Sequence, residues 1–459
     1  VAPICPSHGE KNIESVYNLL KEREIGAVIF MGGTAGMQRE LSQSLQNQLS
    51  IPLLTFQDAE WGVGMRLFDI PPLPKNLTLG AVQDLALLRA YGKELARQCR
   101  TYGISGDFAP VCDVNTNPKN PIIGIRAFGD DSEEVSMRAL EVFYGMREGG
   151  LLASAKHFPG HGDTRVDSHY SLPRIKEMQL PPFQKLVDAG IDMVMVGHLL
   201  CPSISSLPSS ISSEIIEGVL RREMGFDGVV VTDSLIMRAL KKYGPIGPLC
   251  ERALLAGNDL LLFSTADREL ALWLVQTGIP EAIDYLKEVV DEELIDQKIE
   301  RINRMRYREL PAIPEERKGL TRDIFRAAIT EVGDIPQMGD EVALVRCTDD
   351  PTFEMALSRY ASVKVFSSGG LHKACLYEHL LIEQCKEDPI LDVPAHAVVC
   401  LFDTPYALHH EKALIGYENH PDAKEAICDC LFGYLSPLGK LPVSLCGKGG
   451  GEDGKQSRD

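Results

Sequence analysis

The stretch Lys156–His169 reads KHFPGHGDTRVDSH and brings Lys156, His157, His161, Asp163, Asp167 and His169 close together in the chain. Pro159, Gly160 and Gly162 argue against a helix or a regular strand through its middle, so it reads as a loop. Asp167 and His169 are two apart, which lets the carboxylate hold one imidazole nitrogen in an extended or turned segment. The other nitrogen is then free to move a proton, and imidazole can act as acid and then as base near neutrality. A surface histidine beside a solvated aspartate gives the same triplet; the neighbouring KHFPGHG argues for the active reading. Asp233 ends the run GVVVTDSL. A carboxylate at the mouth of a buried strand loses hydration unless it is paired or used. It can serve as a nucleophile toward carbon, or it can cap the helix that follows.

Asp58 and Arg66 flank Trp61 and Met65, and Arg126 lies in GIRAFG. Such charged groups can grip hydroxyls, although a lone arginine also forms surface ion pairs of little worth. Trp61 can pack against a flat ring or fill a core. His157, His161, Asp163, Asp167 and His169 have the donor types of a zinc cluster. Pro159 and Gly160 prevent the helical HxxxH spacing such a site would use, so no metal is expected.

These residues need a rigid scaffold. Apolar runs at Val1–Ile4, Gly26–Met31, Pro52–Phe56, Asp107–Val111, Leu151–Ala155, Asp192–Val196, Gly228–Thr232 and Asp259–Phe263 suit strands buried on both faces. Helical stretches separate most of them, among them Leu85–Tyr102, Ser132–Glu148, Gln179–Ala189 and Ser213–Glu223. The alternation predicts an α/β fold, a (β/α)8 TIM-type barrel. A doubly wound open sheet is the competing architecture, and the lack of a GxGxxG turn favours the barrel. Polar residues then fall at the carboxyl ends of the strands: Asp58 and Glu60, Asp113 and Asn115, Lys156 and His157, His198, and Asp233. Barrel active sites are built there.

The charged helical stretch Glu281–Leu310 ends at Pro311 and Pro314. A barrel over 1–310, a partly helical linker over 311–340 and a smaller α/β layer domain (αβα sandwich-like) over 341–446 follow from this. In the last, strands are expected at Glu341–Arg346, Val363–Phe366 and Ala397–Phe402. The tail 447–459, GKGGGEDGKQSRD, reads as disordered.

A net charge of −18, from 47 basic and 65 acidic residues, argues against a nucleic-acid partner and against docking on anionic membranes. No apolar run reaches the roughly 18 residues that span a bilayer. Twelve cysteines are scattered without a CxxC pair, which argues against zinc and favours a reducing, cytoplasmic setting. The chain begins at Val1 rather than Met, so a leading segment could have been removed. Asn76-Leu77-Thr78 is a glycosylation triplet of the kind that arises by chance.

With these residues set out, the sequence resembles glycoside hydrolase family 3, in its β-N-acetylglucosaminidase branch. The resemblance rests on KHFPGHGDT at 156–164, DSH at 167–169, DAEWGVGMR at 58–66, IRAFG at 125–129 and GVVVTDSL at 228–235. It continues through TPYAL at 404–408 and LFGYLSPLGKLPVSL at 431–445. It implies Asp233 as nucleophile, His169 as general acid/base and Asp167 as its orienting partner. It also implies that Asp58, Arg66, Arg126, Lys156 and His157 bind the N-acetylglucosamine unit. The branch more often has DQEGGRVQR where this chain has DAEWGVGMR, so the fine shape of the sugar pocket is expected to differ. The implied reaction is retaining removal of terminal N-acetylglucosamine from peptidoglycan-derived muropeptides or related glycosides, without a cofactor. A histidine acid/base does not repel phosphate, so a phosphorylase is the nearest alternative. A metal-dependent hydrolase and a silent sugar-binding protein are the alternatives of other classes.

Overall fold

A computed structural model describes residues 1–166, 172–385 and 392–445. The chain forms two compact units, Val1–Ala328 and a second beginning at Ile329. In the first, seven parallel strands follow one another in chain order: β1 (Ala2–Ile4), β2 (Ala27–Phe30), β3 (Leu54–Gln57), β4 (Gly106–Asp107), β5 (Leu152–Phe158), β6 (Met193–Val196) and β7 (Val229–Thr232). The expected eighth strand, Asp259–Phe263, is extended but not a regular strand. It closes the barrel through bonds on both sides. Thr232 N donates to Leu260 O (3.0 Å), and Phe263 N donates to Val1 O (3.1 Å).

Alternate residues of each strand point into the barrel. Ile29, Leu54, Phe56, Phe108, Leu152, Met193, Met195, Val229 and Val231 fill it as one apolar core, with Leu260 and Leu262 from the closing segment. The Phe56 and Phe108 rings stack with centroids 5.0 Å apart. Gly106 pairs with Phe56, and a Cβ there would lie 2.6 Å from the Phe56 ring, so the neighbouring strands approach this closely only with glycine.

Two further strands differ from expectation. The fourth is regular over two residues only, because Pro110 has no N–H for the ladder. The chain still runs beside β5, with Ser154 N donating to Ala109 O (2.8 Å). The fifth runs on through Phe158, so Lys156 and His157 belong to the strand and not to a loop. Val111 bridges to Lys156 and Phe158 pairs with Val196, which carries the ladder past the expected end. The peptide bonds Ala109–Pro110, Lys156–His157 and Phe158–Pro159 are cis.

The second unit holds a six-stranded sheet in the order β10-β9-β11-β12-β13-β8: β8 (Thr330–Val332), β9 (Glu341–Arg346), β10 (Ser362–Ser367), β11 (Leu380–Gln384), β12 (Val398–Leu401) and β13 (Ala413–Ile415). Only β8 runs antiparallel to its neighbour. Helix Leu320–Ala328 and β8 both fall within 311–340. The tail at 447–459 lies outside the described residues.

Candidate active site

The strand register places the charged residues. Leu54 and Phe56, Leu152, and Val229 and Val231 face the barrel core. Counting on by twos brings Asp58, Lys156 and Asp233 to the inward face, above the apolar fill. They line one cleft of about 610 Å³ together with Glu60, Arg66, Arg126, His157 and His161. Trp61, Met65, Met237 and Leu262 supply apolar walls. A cleft of a few hundred Å³ with an apolar wall and convergent polar groups is the usual form of a small-molecule site.

The charged groups are interlocked. Lys156 Nζ reaches Asp58 Oδ1 (3.0 Å) and Glu60 Oε1 (2.7 Å). Arg66 Nη2 donates to Asp58 Oδ2 (2.8 Å). Arg126 forks onto Glu60 through Nε (3.0 Å) and Nη2 (2.7 Å). The same Nη2 lies 3.2 Å from His157 Nε2, and a guanidinium can only donate. His157 Nε2 is therefore an acceptor, and its Nδ1–H donates to Asp113 Oδ2 (2.7 Å). Asp113 also accepts the backbone N–H groups of His157 (3.2 Å) and His161 (2.6 Å). Asn76 Nδ2 donates to the Arg126 carbonyl (2.7 Å); Asn76 is buried and braces that loop, which answers the glycosylation triplet.

Burial pushes the Glu60 carboxyl up, but Arg126 and Lys156 outweigh it and hold it at about 2. Asp58 is likewise raised by burial and drawn well below the carboxylate range by Lys156 and Arg66. Burial works against the Lys156 ammonium, yet Asp58 and Glu60 raise its pKa. His161 is lowered to about 4 by burial and stays neutral.

Asp233 does not cap a helix. Its Oδ1 accepts the N–H of Ser234 (2.7 Å), while the next helical turn, Arg238–Tyr243, starts after Met237. Burial raises its pKa, and His198 and His157 more than offset this, so it is an anion at neutral pH. His198 is buried behind it, with Nδ1 2.7 Å from Ser210 Oγ and Nε2 2.9 Å from the Ser234 carbonyl. The result is an anionic carboxylate that shares one cleft with the interlocked Asp58, Glu60, Arg66, Arg126, Lys156 and His157.

Six of the residues singled out in the sequence thus meet in the cleft: Asp58, Arg66, Arg126, Lys156, His157 and Asp233. Asp167 and His169 lie outside the described residues. The pairings of Glu60 and Asp113 were not foreseen. Glu60 and Asp113 stand out in the sequence as polar residues at strand ends, but nothing in it pairs them with Arg126 and His157.

Residues 7–305 match the family profile described as glycosyl hydrolase family 3 N terminal domain. The chain belongs to glycoside hydrolase family 3. Within that family it is 34% identical over 237 residues to a beta-hexosaminidase of Nitrosomonas eutropha, covering 49% of this chain and 68% of the relative. It is 29% identical to a beta-N-acetylglucosaminidase/beta-glucosidase of Cellulomonas fimi, over 62% of this chain and 52% of that protein. The solved structure of a family 3 beta-N-acetylglucosaminidase from Paenibacillus sp. covers 97% of each chain at a TM-score of 0.80 and 26% identity. These findings make this family 3 chain a glycoside hydrolase with a TIM-type barrel and an α/β second unit.

Proposed function

We propose that the chain is a retaining exo-β-N-acetylglucosaminidase. The observation that carries this reading is that Asp233 lines the same cleft as the Asp58–Lys156–Glu60–Arg126–His157 network. Asp58, Arg66, Arg126, Lys156 and His157 hold the terminal sugar by its hydroxyls and amide. Asp233 attacks the anomeric carbon as protonated His169 gives its proton to the leaving oxygen, and a glycosyl-aspartate forms. His169, now neutral, takes a proton from water, which attacks the same carbon and frees Asp233. Asp167 orients the imidazole and steadies its cationic form. The free thiols of all the described cysteines support a cytoplasmic setting. Such a setting would suit peptidoglycan-derived fragments as substrates.

The test follows hydrolysis of 4-nitrophenyl N-acetyl-β-glucosaminide by proton NMR. The first sugar released is expected as the β-anomer. Release of the α-anomer, or no release, overturns the reading. Running the reaction in phosphate separates the nearest rival, since sugar 1-phosphate as main product would make the chain a phosphorylase. Muropeptide disaccharide and chitobiose, offered together, rank the aglycones.

Asp113→Asn tests the histidine's orientation. Asparagine turns a donor toward His157 Nδ1 and favours the opposite tautomer, which sets Nε2–H against Arg126. KM for the chromogenic substrate should rise about 10- to 100-fold, as loss of an orienting partner does elsewhere. An unchanged KM would remove His157 from sugar binding.

A further inference from the structure

One buried carboxyl group beside the cleft has no part in the reaction above. Asp107 ends β4 and is fully buried. In parallel register it sits beside Gln57 of β3. Their neighbours Phe56 and Phe108 face the barrel core, so Gln57 and Asp107 face outward, toward the helices. Asp107 Oδ1 accepts the N–H of Ala59 (2.9 Å), the residue between Asp58 and Glu60. Its Oδ2 is buried with no hydrogen-bond partner among the described residues. Gln57 Oε1 is in the same condition, while Gln57 Nε2 donates to Gln38 Oε1 (2.9 Å). Two acceptors without donors on adjacent strands, roughly 5 Å apart in backbone spacing, are costly to bury.

A proton resolves this. On Oδ2 it turns an acceptor into a donor for the neighbouring amide oxygen, and the carboxyl carries no buried charge. The surrounding groups favour it. Burial raises Asp107 to about 7; Ala59 N–H and Lys156 on β5 oppose this, and Asp58 and Glu60 on the adjoining turn add to it. From helix Leu85–Thr101 the facing titratable group is the Cys99 thiol, itself pushed well up by burial.

We propose that Asp107 is a positioning residue, held as a neutral carboxylic acid, that fixes the turn carrying Asp58 and Glu60. The proposal rests on the sugar-binding role of Asp58 given above. When Asp107 ionises, it places a negative charge behind two carboxylates in a medium of low dielectric. The turn then shifts, and sugar affinity falls as pH rises through neutrality.

The experiment has two readouts. The infrared C=O stretch of a protonated carboxyl should be present at pH 6, fade by pH 8 and be missing in Asp107→Asn. In parallel, KM for the chromogenic glucosaminide should rise about tenfold between pH 6 and 8 in the unaltered protein, the worth of one hydrogen bond to a charged group. In Asp107→Asn, which can keep both bonds without titrating, KM should stay level and kcat should keep its pH profile. Asp107→Ala, which keeps neither bond, should show the raised KM at both pH values. A missing carboxyl band, or a KM rise that persists in the asparagine variant, overturns the proposal. Should the glycoside prove not to be a substrate, the infrared titration still decides the protonation state, so the two failures are distinguishable.

Discussion

Asp233→Asn should lower kcat by at least about ten-thousand-fold while leaving the fold intact. Asp233 is the anionic carboxylate at the head of β7, and its backbone bond to Val196 O (2.9 Å) does not depend on the side chain. The loss therefore falls on the chemical step; removal of a nucleophile elsewhere costs up to about two-million-fold in kcat, so about ten-thousand-fold is the least expected. A 2-fluoro glycosyl substrate should leave a sugar mass on the peptide containing Asp233. In Asp233→Ala, azide should restore turnover and give the α-glycosyl azide, because it enters from the vacated face. A β-azide would recast Asp233 as the acid, and an adduct on another residue would move the nucleophile.

Lys156→Met should destabilise the barrel by about 3 kcal/mol at neutral pH, the lower end for breaking a buried ion pair. Lys156 is 1% exposed and bridges Asp58 and Glu60, so methionine fills its space and leaves two carboxylates with one fewer cation. Arg66 and Arg126 still hold them, which keeps the loss from being larger. The pH dependence has a definite sign. Glu60 is depressed from 4.5 to about 2 in the folded protein, so its ion pairs contribute fully above 4.5 and fade as pH falls toward 2. In Lys156→Met its pKa rises, so the gap between variant and parent should narrow in acid. Urea titrations at pH 7 and at pH 4 check this; an equal gap at both would mean the lysine acts by packing alone. Sugar binding should also be lost, which calorimetry with N-acetylglucosamine would show.

Much of this was legible beforehand, for identifiable reasons. Parallel barrel strands are buried on both faces, so their apolar runs stand out, and the acids at their ends follow from the register. The end of β5 was hidden because the polar Lys156 and His157 read as the start of a loop, whereas the strand runs three residues past Ala155 to the break at Pro159 and Gly160. The short strands β8 and β13 carry too few residues for any periodicity to show. Asp107 looked like an ordinary first residue of a strand. Whether it faces the barrel or the helices depends on the offset of β4 against β3, which no local pattern encodes. Arg126, the partner of Glu60, ends a short helical turn and His157, the partner of Asp113, lies on β5, 66 and 44 residues away and beyond the reach of spacing rules.

The stacked phenylalanines seal the bore of the barrel beneath the cleft. Among the described residues this fill closes the route through the barrel, which leaves its mouth as the way in and out. On the proposed mechanism a departing aglycone and an arriving water molecule would share that doorway, so the first would have to clear it before the second could reach the anomeric carbon. Occupancy of the doorway, rather than any back channel, would then set how long the glycosyl-aspartate survives.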